Sequence, residues 1–96
     1  MKLTSLEARN ILENARKHTE EDRWIDHCIY VGNTGAKIAE ALNKKGHNVD
    51  AEKTRALGYV HDIGKMIALP YGHEINGFNY MKEQGYDEEY YNICIT

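Results

Sequence analysis

The sequence predicts an all-α domain built as a bundle of about five helices, and three observations carry that prediction. Every apolar pattern repeats at 3.6 residues rather than at 2. No strand–turn–strand signal for a hairpin occurs. The helical runs are punctuated by start and stop residues: Thr4 with Glu7, then Gly46, Asp50, Gly85 and Asp87.

Thr4 and Glu7 form a capping box that opens a first helix to about His18, with Ala8, Ile11, Leu12 and Ala15 as its apolar stripe. A polar patch from Thr19 to Asp22 separates it from a long second helix running to about Lys45. The stripe expected there is Trp24, His27, Cys28, Val31, Gly35, Ile38, Ala39 and Leu42, and Gly46 is the stop. Asp50 caps a third helix carrying Ala56, Leu57 and Val60, which ends in His61-Asp62. Residues 63 to 72 read as a loop holding the only proline, Pro70. A fourth helix from about His73 to Gln84 is expected to bury Ile75, Phe78 and Met81, and Gly85 ends it. Asp87 is expected to cap a fifth helix with Tyr90, Ile93 and Cys94 facing inward. That helix has no stop signal before Thr96, so the reading is one domain over 1–96, truncated within its fifth helix.

At 96 residues, 42% apolar and 28% charged, the chain has the composition of a single soluble globular domain with a modest core. A net charge of −3 argues against general nucleic-acid binding, because no basic stripe is available for phosphates. No apolar run reaches the length of a signal peptide or a membrane span. Cys28 and Cys94 lie within apolar helical patterns and read as small buried hydrophobes rather than a disulfide. The expected setting is therefore reduced and cytoplasmic. The uncapped apolar fifth helix favours burial against another chain, so a homo-oligomer is among the expected arrangements.

The chemistry concentrates at His61-Asp62, in Tyr-Val-His-Asp-Ile-Gly-Lys, with His27 one helix upstream. Two imidazoles and one carboxylate suit a divalent metal with coordination positions left open. Neighbouring residues within a helix point apart, but a doublet in the last turn, released by Gly64, can aim both heads at one point. His27 alone, on an inward stripe, is more often structural. An unpaired carboxylate at Asp62 would be costly, and one ion between His27, His61 and Asp62 satisfies all three. Lys65 offers Asp62 a compensating charge without any metal. Gly58, Gly32 and Gly35 each cost up to about 1 kcal/mol within a helix and suggest close helix contact or room for a ligand. His73, at the start of the fourth helix, suits a second metal or a phosphate, or else an exposed first-turn position. Arg23 is a weaker anion-binding candidate, and His18 and His47 read as solvated.

These motifs resemble the HD-domain superfamily of metal-dependent phosphohydrolases, in its His-Asp-Ile-Gly form. The resemblance spans roughly residues 20 to 96 and rests on Trp-Ile-Asp-His, on Tyr-Val-His-Asp-Ile-Gly-Lys and on the thirty-four residues between His27 and His61. It implies an all-helical core in which His27 is the first metal ligand and His61 with Asp62 the doublet. It also implies that His73, in His-Glu-Ile-Asn-Gly, serves a second metal or the phosphate. A further Asp, and in binuclear members another His, is expected downstream of residue 96.

The function this resemblance implies is hydrolysis of a nucleotide or another phosphate ester. His27, His61 and Asp62 would hold Mn, Fe, Co, Ni, Mg or Zn, Asp62 would orient water, and Lys65 and His73 would offset phosphate charge. A truncated or degenerate domain that binds metal or nucleotide without turnover is the alternative. Two His and one carboxylate also describe non-haem iron oxygenases. A helical module with a hydrogen-bonded polar core is the remaining option.

Overall fold

The computed structural model describes residues 1–67 and 70–96 and contains helices only among them. The α-helices are α1 (Ser5–Ala15), α2 (Arg23–Lys44), α3 (Ala51–Val60), α4 (His73–Glu83) and α5 (Glu88–Asn92). Short 3₁₀ turns cover Arg16–His18, Ile63–Met66 and Ile93–Ile95. The all-α expectation of about five helices is met. The stretch predicted as loop from 63 to 72 begins with a 3₁₀ turn, and Ala68 and Leu69 within it lie outside the described residues.

The predicted punctuation largely operates as written. The Thr4 hydroxyl accepts the Glu7 amide at 3.1 Å, while the Thr4 amide donates to the Glu7 carboxylate at 3.3 Å. Asp50 accepts the Lys53 amide at 2.9 Å. Gly46 and Gly85 take φ of 95° and 84°, the left-handed region that a helix stop requires. Asp87 departs from expectation: its side chain does not cap α5 but forms an ion pair with the Met1 amino group.

α2 and α3 form an antiparallel hairpin, and α1 lies along α3 with Ser5 bound to Glu52. The core comprises Leu3, Leu12, Ile25, Cys28, Val60, Ile63, Met81 and Tyr90. On α2 the buried stripe is Ile25, Cys28, Gly32, Ala36 and Ala39 with Trp24, rotated from the predicted one. Ile38 and Leu42 are 57% and 37% exposed. Two causes combine. The small residues mark the face where α3 approaches most closely. In addition, the 22 residues of α2 span about 33 Å while the 10 of α3 span about 15 Å, so the last turns of α2 outrun their partner.

On α4 the buried positions are Asn76, Gly77 and Met81, whereas Ile75 is exposed and Phe78 half-buried. The reason lies in the preceding turn. Gly64 sits so close to the start of α4 that a Cβ would stand 1.8 Å from the His73 carbonyl oxygen and 2.5 Å from the Gly77 nitrogen. That approach selects the Asn76–Gly77 face of α4 and turns Ile75 outward.

Two glycine contacts thus set the helix spacing, one at Gly64 and one at Gly58, where a Cβ would meet the Gly32 Cα at 2.5 Å. Gly64→Ala is expected to lower stability by about 3 kcal/mol or more, because backbone must move to admit the methyl group. Gly46→Ala, with open space around a positive φ, should lose only about 1–2 kcal/mol. Urea denaturation of both variants reads the difference, and equal losses would contradict the close-approach role of Gly64.

Candidate metal centre

The His-Asp pair sits where α3 stops. His61 is the C-cap, still helical at φ −59° and ψ −27°, and Asp62 breaks away at φ −114° and ψ 20°. The change of direction therefore falls between the two residues. Gly64, expected to release the turn, does not have a positive φ. Its absent side chain serves the contact with α4 instead.

His61 Nδ1 lies 2.6 Å from the Gly58 carbonyl oxygen. A carbonyl can only accept, so Nδ1 carries the proton and donates it, leaving Nε2 as the free ring nitrogen in the neutral form. This is the arrangement by which a backbone group orients a metal-binding imidazole. Nε2 faces the Asp62 carboxylate at 3.4 Å.

The expected burial of His27 is not observed: the residue is exposed. The rotation of the α2 stripe explains this, since Ile25 and Cys28 take the inward positions. The flanking position still carries the His27 ring over the end of α3, with its centroid 6.0 Å from that of His61 at 63° between planes. One donor atom from each of His27, His61 and Asp62 lies within 4.8 Å of the others. Among the described residues no fourth His, Cys, Asp or Glu joins them.

Asp62 gathers the remaining predicted residues. Lys65 Nζ stands 3.5 Å from Oδ2, and His73 Nε2 stands 3.5 Å from Oδ1. The Asp62 side chain is only 18% exposed, and all three of these neighbours lie beyond ordinary hydrogen-bond length. A half-buried carboxylate so loosely engaged retains lone pairs for a cation, and with two imidazoles it is a donor set that fits a divalent ion. His73 also approaches Glu74 at 3.5 Å. Arg23 pairs with Glu21 at 2.8 Å and points away into solvent, which removes it from the site. His18 and His47 are exposed as expected.

One supporting residue was missed. Asn76 is 4% exposed, and its Nδ2 donates to the Tyr71 carbonyl at 2.7 Å and to the Ile67 carbonyl at 3.3 Å. It ties the chain on both sides of residues 68–69 to α4 one turn from His73. The legible signal was a polar residue beside Gly77 in a helix interior.

Cys28 and Cys94 are buried and unlinked. Burial, and then the Asp62 charge, pushes each thiol up to about 12. Both are neutral thiols at neutral pH, not thiolate ligands. Between pH 9 and 12 the unfolded chain ionises its thiols while the fold keeps them protonated, so this contribution to stability is lost as pH rises through that window. Iodoacetamide at pH 8 should label the native protein far more slowly than the urea-unfolded chain; comparable rates would contradict the burial.

With this geometry in place, comparison with known proteins is informative. The HD domain family profile matches residues 24–95. An uncharacterized protein of Methanocaldococcus jannaschii is 34% identical over 73 residues, which make up 76% of this chain and 43% of the relative. The matched segment is thus less than half the length of that relative. No solved structure matches. The profile covers three-quarters of the chain and includes both helices that carry the His27, His61 and Asp62 cluster: the chain belongs to the HD-domain family.

Proposed function

We propose that the chain is a metal-dependent phosphohydrolase domain of the His-Asp-Ile-Gly type, acting on a nucleotide or another phosphate ester. Family membership supplies the coarse part of this reading, since HD domains are metal-dependent phosphohydrolases. The convergence of His27, His61 and Asp62 within 4.8 Å is the observation that carries the rest. In this reading these three residues hold the ion. A bound divalent ion supplies Lewis acidity and makes hydroxide available near neutral pH.

The chain's own groups do the remainder. The Gly58 carbonyl keeps His61 in one tautomer and one orientation. Asp62 accepts a hydrogen bond from the attacking water and orients it. Lys65 and His73, both drawn toward Asp62, offset phosphate charge as the ester bond breaks. No helix among the described residues is long and apolar enough to cross a membrane. With two free buried thiols, we place the protein in the reduced cytoplasm.

A second reading also has an observation on its side. Only three donors converge among the described residues, and Lys65 already stands by Asp62. A degenerate domain that binds metal or nucleotide without turnover would look the same at these positions.

Two measurements separate these readings. Elemental analysis after Mn loading should find about one ion per chain, and His61→Ala should remove it. Mn at a hundred times its Kd should stabilise the parent by about 2.7 kcal/mol, a rise of roughly 10 °C or more for a domain of this size, reversed by chelator. A chain that takes up no ion would contradict the metal centre.

Turnover of phosphate monoesters with Mn should then fall by at least about 100-fold in Asp62→Asn, in line with loss of a group acting in the transition state. Lys65→Ala should fall less, by about 10-fold. Metal uptake with no turnover of any ester would establish the degenerate reading instead.

A further inference from the structure

His27 is the least supported donor of the cluster. The Gly58 carbonyl orients His61. Among the described residues no hydrogen bond does the same for His27, which is exposed and meets the His61 ring edge-on. Its place is therefore set by the start of α2 beneath it. We infer that Arg16 is a positioning residue for the metal centre: its guanidinium holds the first turn of α2 against the end of α1 and so fixes where His27 presents its donor. That role rests on the metal-dependent reading, in which His27 is a ligand.

Arg16 follows α1 directly, at its C-cap. Three of its nitrogens donate to three carboxylates: Nε to Glu13 at 2.9 Å, Nη1 to Asp22 at 3.2 Å and Nη2 to Asp26 at 2.6 Å. Glu13 belongs to the last turn of α1, Asp22 stands at the N-cap of α2, and Asp26 lies in its first turn. The planar fork of one guanidinium thus bridges two helices that pack on α3 far more than on each other.

The start of α2 needs such support. Thr4 and Asp50 cap α1 and α3 with their own side chains, but the Asp22 side chain caps nothing and turns to Arg16 instead. A helix start without a side-chain cap leaves amides unpaired and frays readily. Trp24, Ile25 and Cys28 anchor the inward side in the core. Asp26 faces outward, 67% exposed, and its bond to Nη2 ties that side down. His27 is the next residue, so a tilted or frayed first turn moves its ring.

Isolated surface ion pairs stabilise little, because water screens them and two long side chains must be ordered. Here one side chain, only 30% exposed, is ordered for three contacts. Arg16 and Glu13 also precede residue 24, where the family match begins, so family membership alone does not supply the clasp.

The test is the Mn affinity of the whole chain, read by water proton relaxation. It compares the parent with Arg16→Met, each with His27 intact and with His27→Ala. Arg16→Met is expected to weaken Mn binding roughly tenfold, as loss of an outer-shell partner does, and to have no further effect once His27 is gone. Asp26→Ala removes the arm nearest His27 and leaves Arg16 on Glu13 and Asp22. It should weaken Mn at least about threefold, and it carries the test should Arg16→Met fail to fold. Unchanged affinity in these variants would overturn the inference, because His27 would then be held without the clasp. A loss of the same size in the His27→Ala background would also overturn it, because Arg16 would then support the fold at large. Either result in a parent that binds Mn removes the role of Arg16 alone, whereas a parent that takes up no Mn removes the metal centre with it.

Discussion

Where α2 crosses α3, Gly32 and Gly58 bring their backbones together with no side chain between them. A Cβ on Gly32 would also run into the Tyr59 ring at 2.4 Å. Interiors packed at crystal density cannot absorb such a methyl group without moving a helix. The spacing fixed there governs what happens at either side of the crossing. Five residues before Gly32 is His27, and three after Gly58 is His61, so the crossing decides whether the two imidazoles can meet. Widening it by the thickness of a methyl group would draw the His27 donor away from the other two.

A second backbone contact, between Gly64 and the first turn of α4, does the same for the other half of the site. It brings His73 to Asp62 and holds the 3₁₀ turn that places Lys65 on the same carboxylate. Asp62 thus lies between two rigid approaches, one from each glycine contact. Lys65 and His73 approach it at 3.5 Å, slightly too far away to saturate it. That geometry leaves it electrostatically open to a cation, and the exposure of His27 keeps one flank of the site open to solvent.

Much of this was legible in the sequence because the signals were local. Capping at Thr4 and Asp50 and the left-handed stops at Gly46 and Gly85 depend on a few neighbouring residues, and the structure bears them out. The meeting of His27, His61 and Asp62 was legible too, since residue types and order carry that information. What was not legible depended on distance in the chain. The α2 stripe was misjudged by about one position because large apolar residues such as Ile38 and Leu42 outweighed small ones such as Gly32 and Ala36 in the reading. Only the presence of α3 reveals that the small face is the contact face. Asp87 was misread as a cap because its partner, the Met1 amino group, lies at the other end of the sequence. Gly64 was assigned a turn conformation when its role is to admit α4, a contact that no local pattern announces.

The most direct test of the account is anomalous diffraction from crystals of the chain grown with Mn. A single strong peak within coordinating distance, about 2.0–2.4 Å, of His27, His61 and Asp62 together is the predicted result. A peak elsewhere, or none while the three side chains hold the positions described, would show that no metal centre exists in this chain.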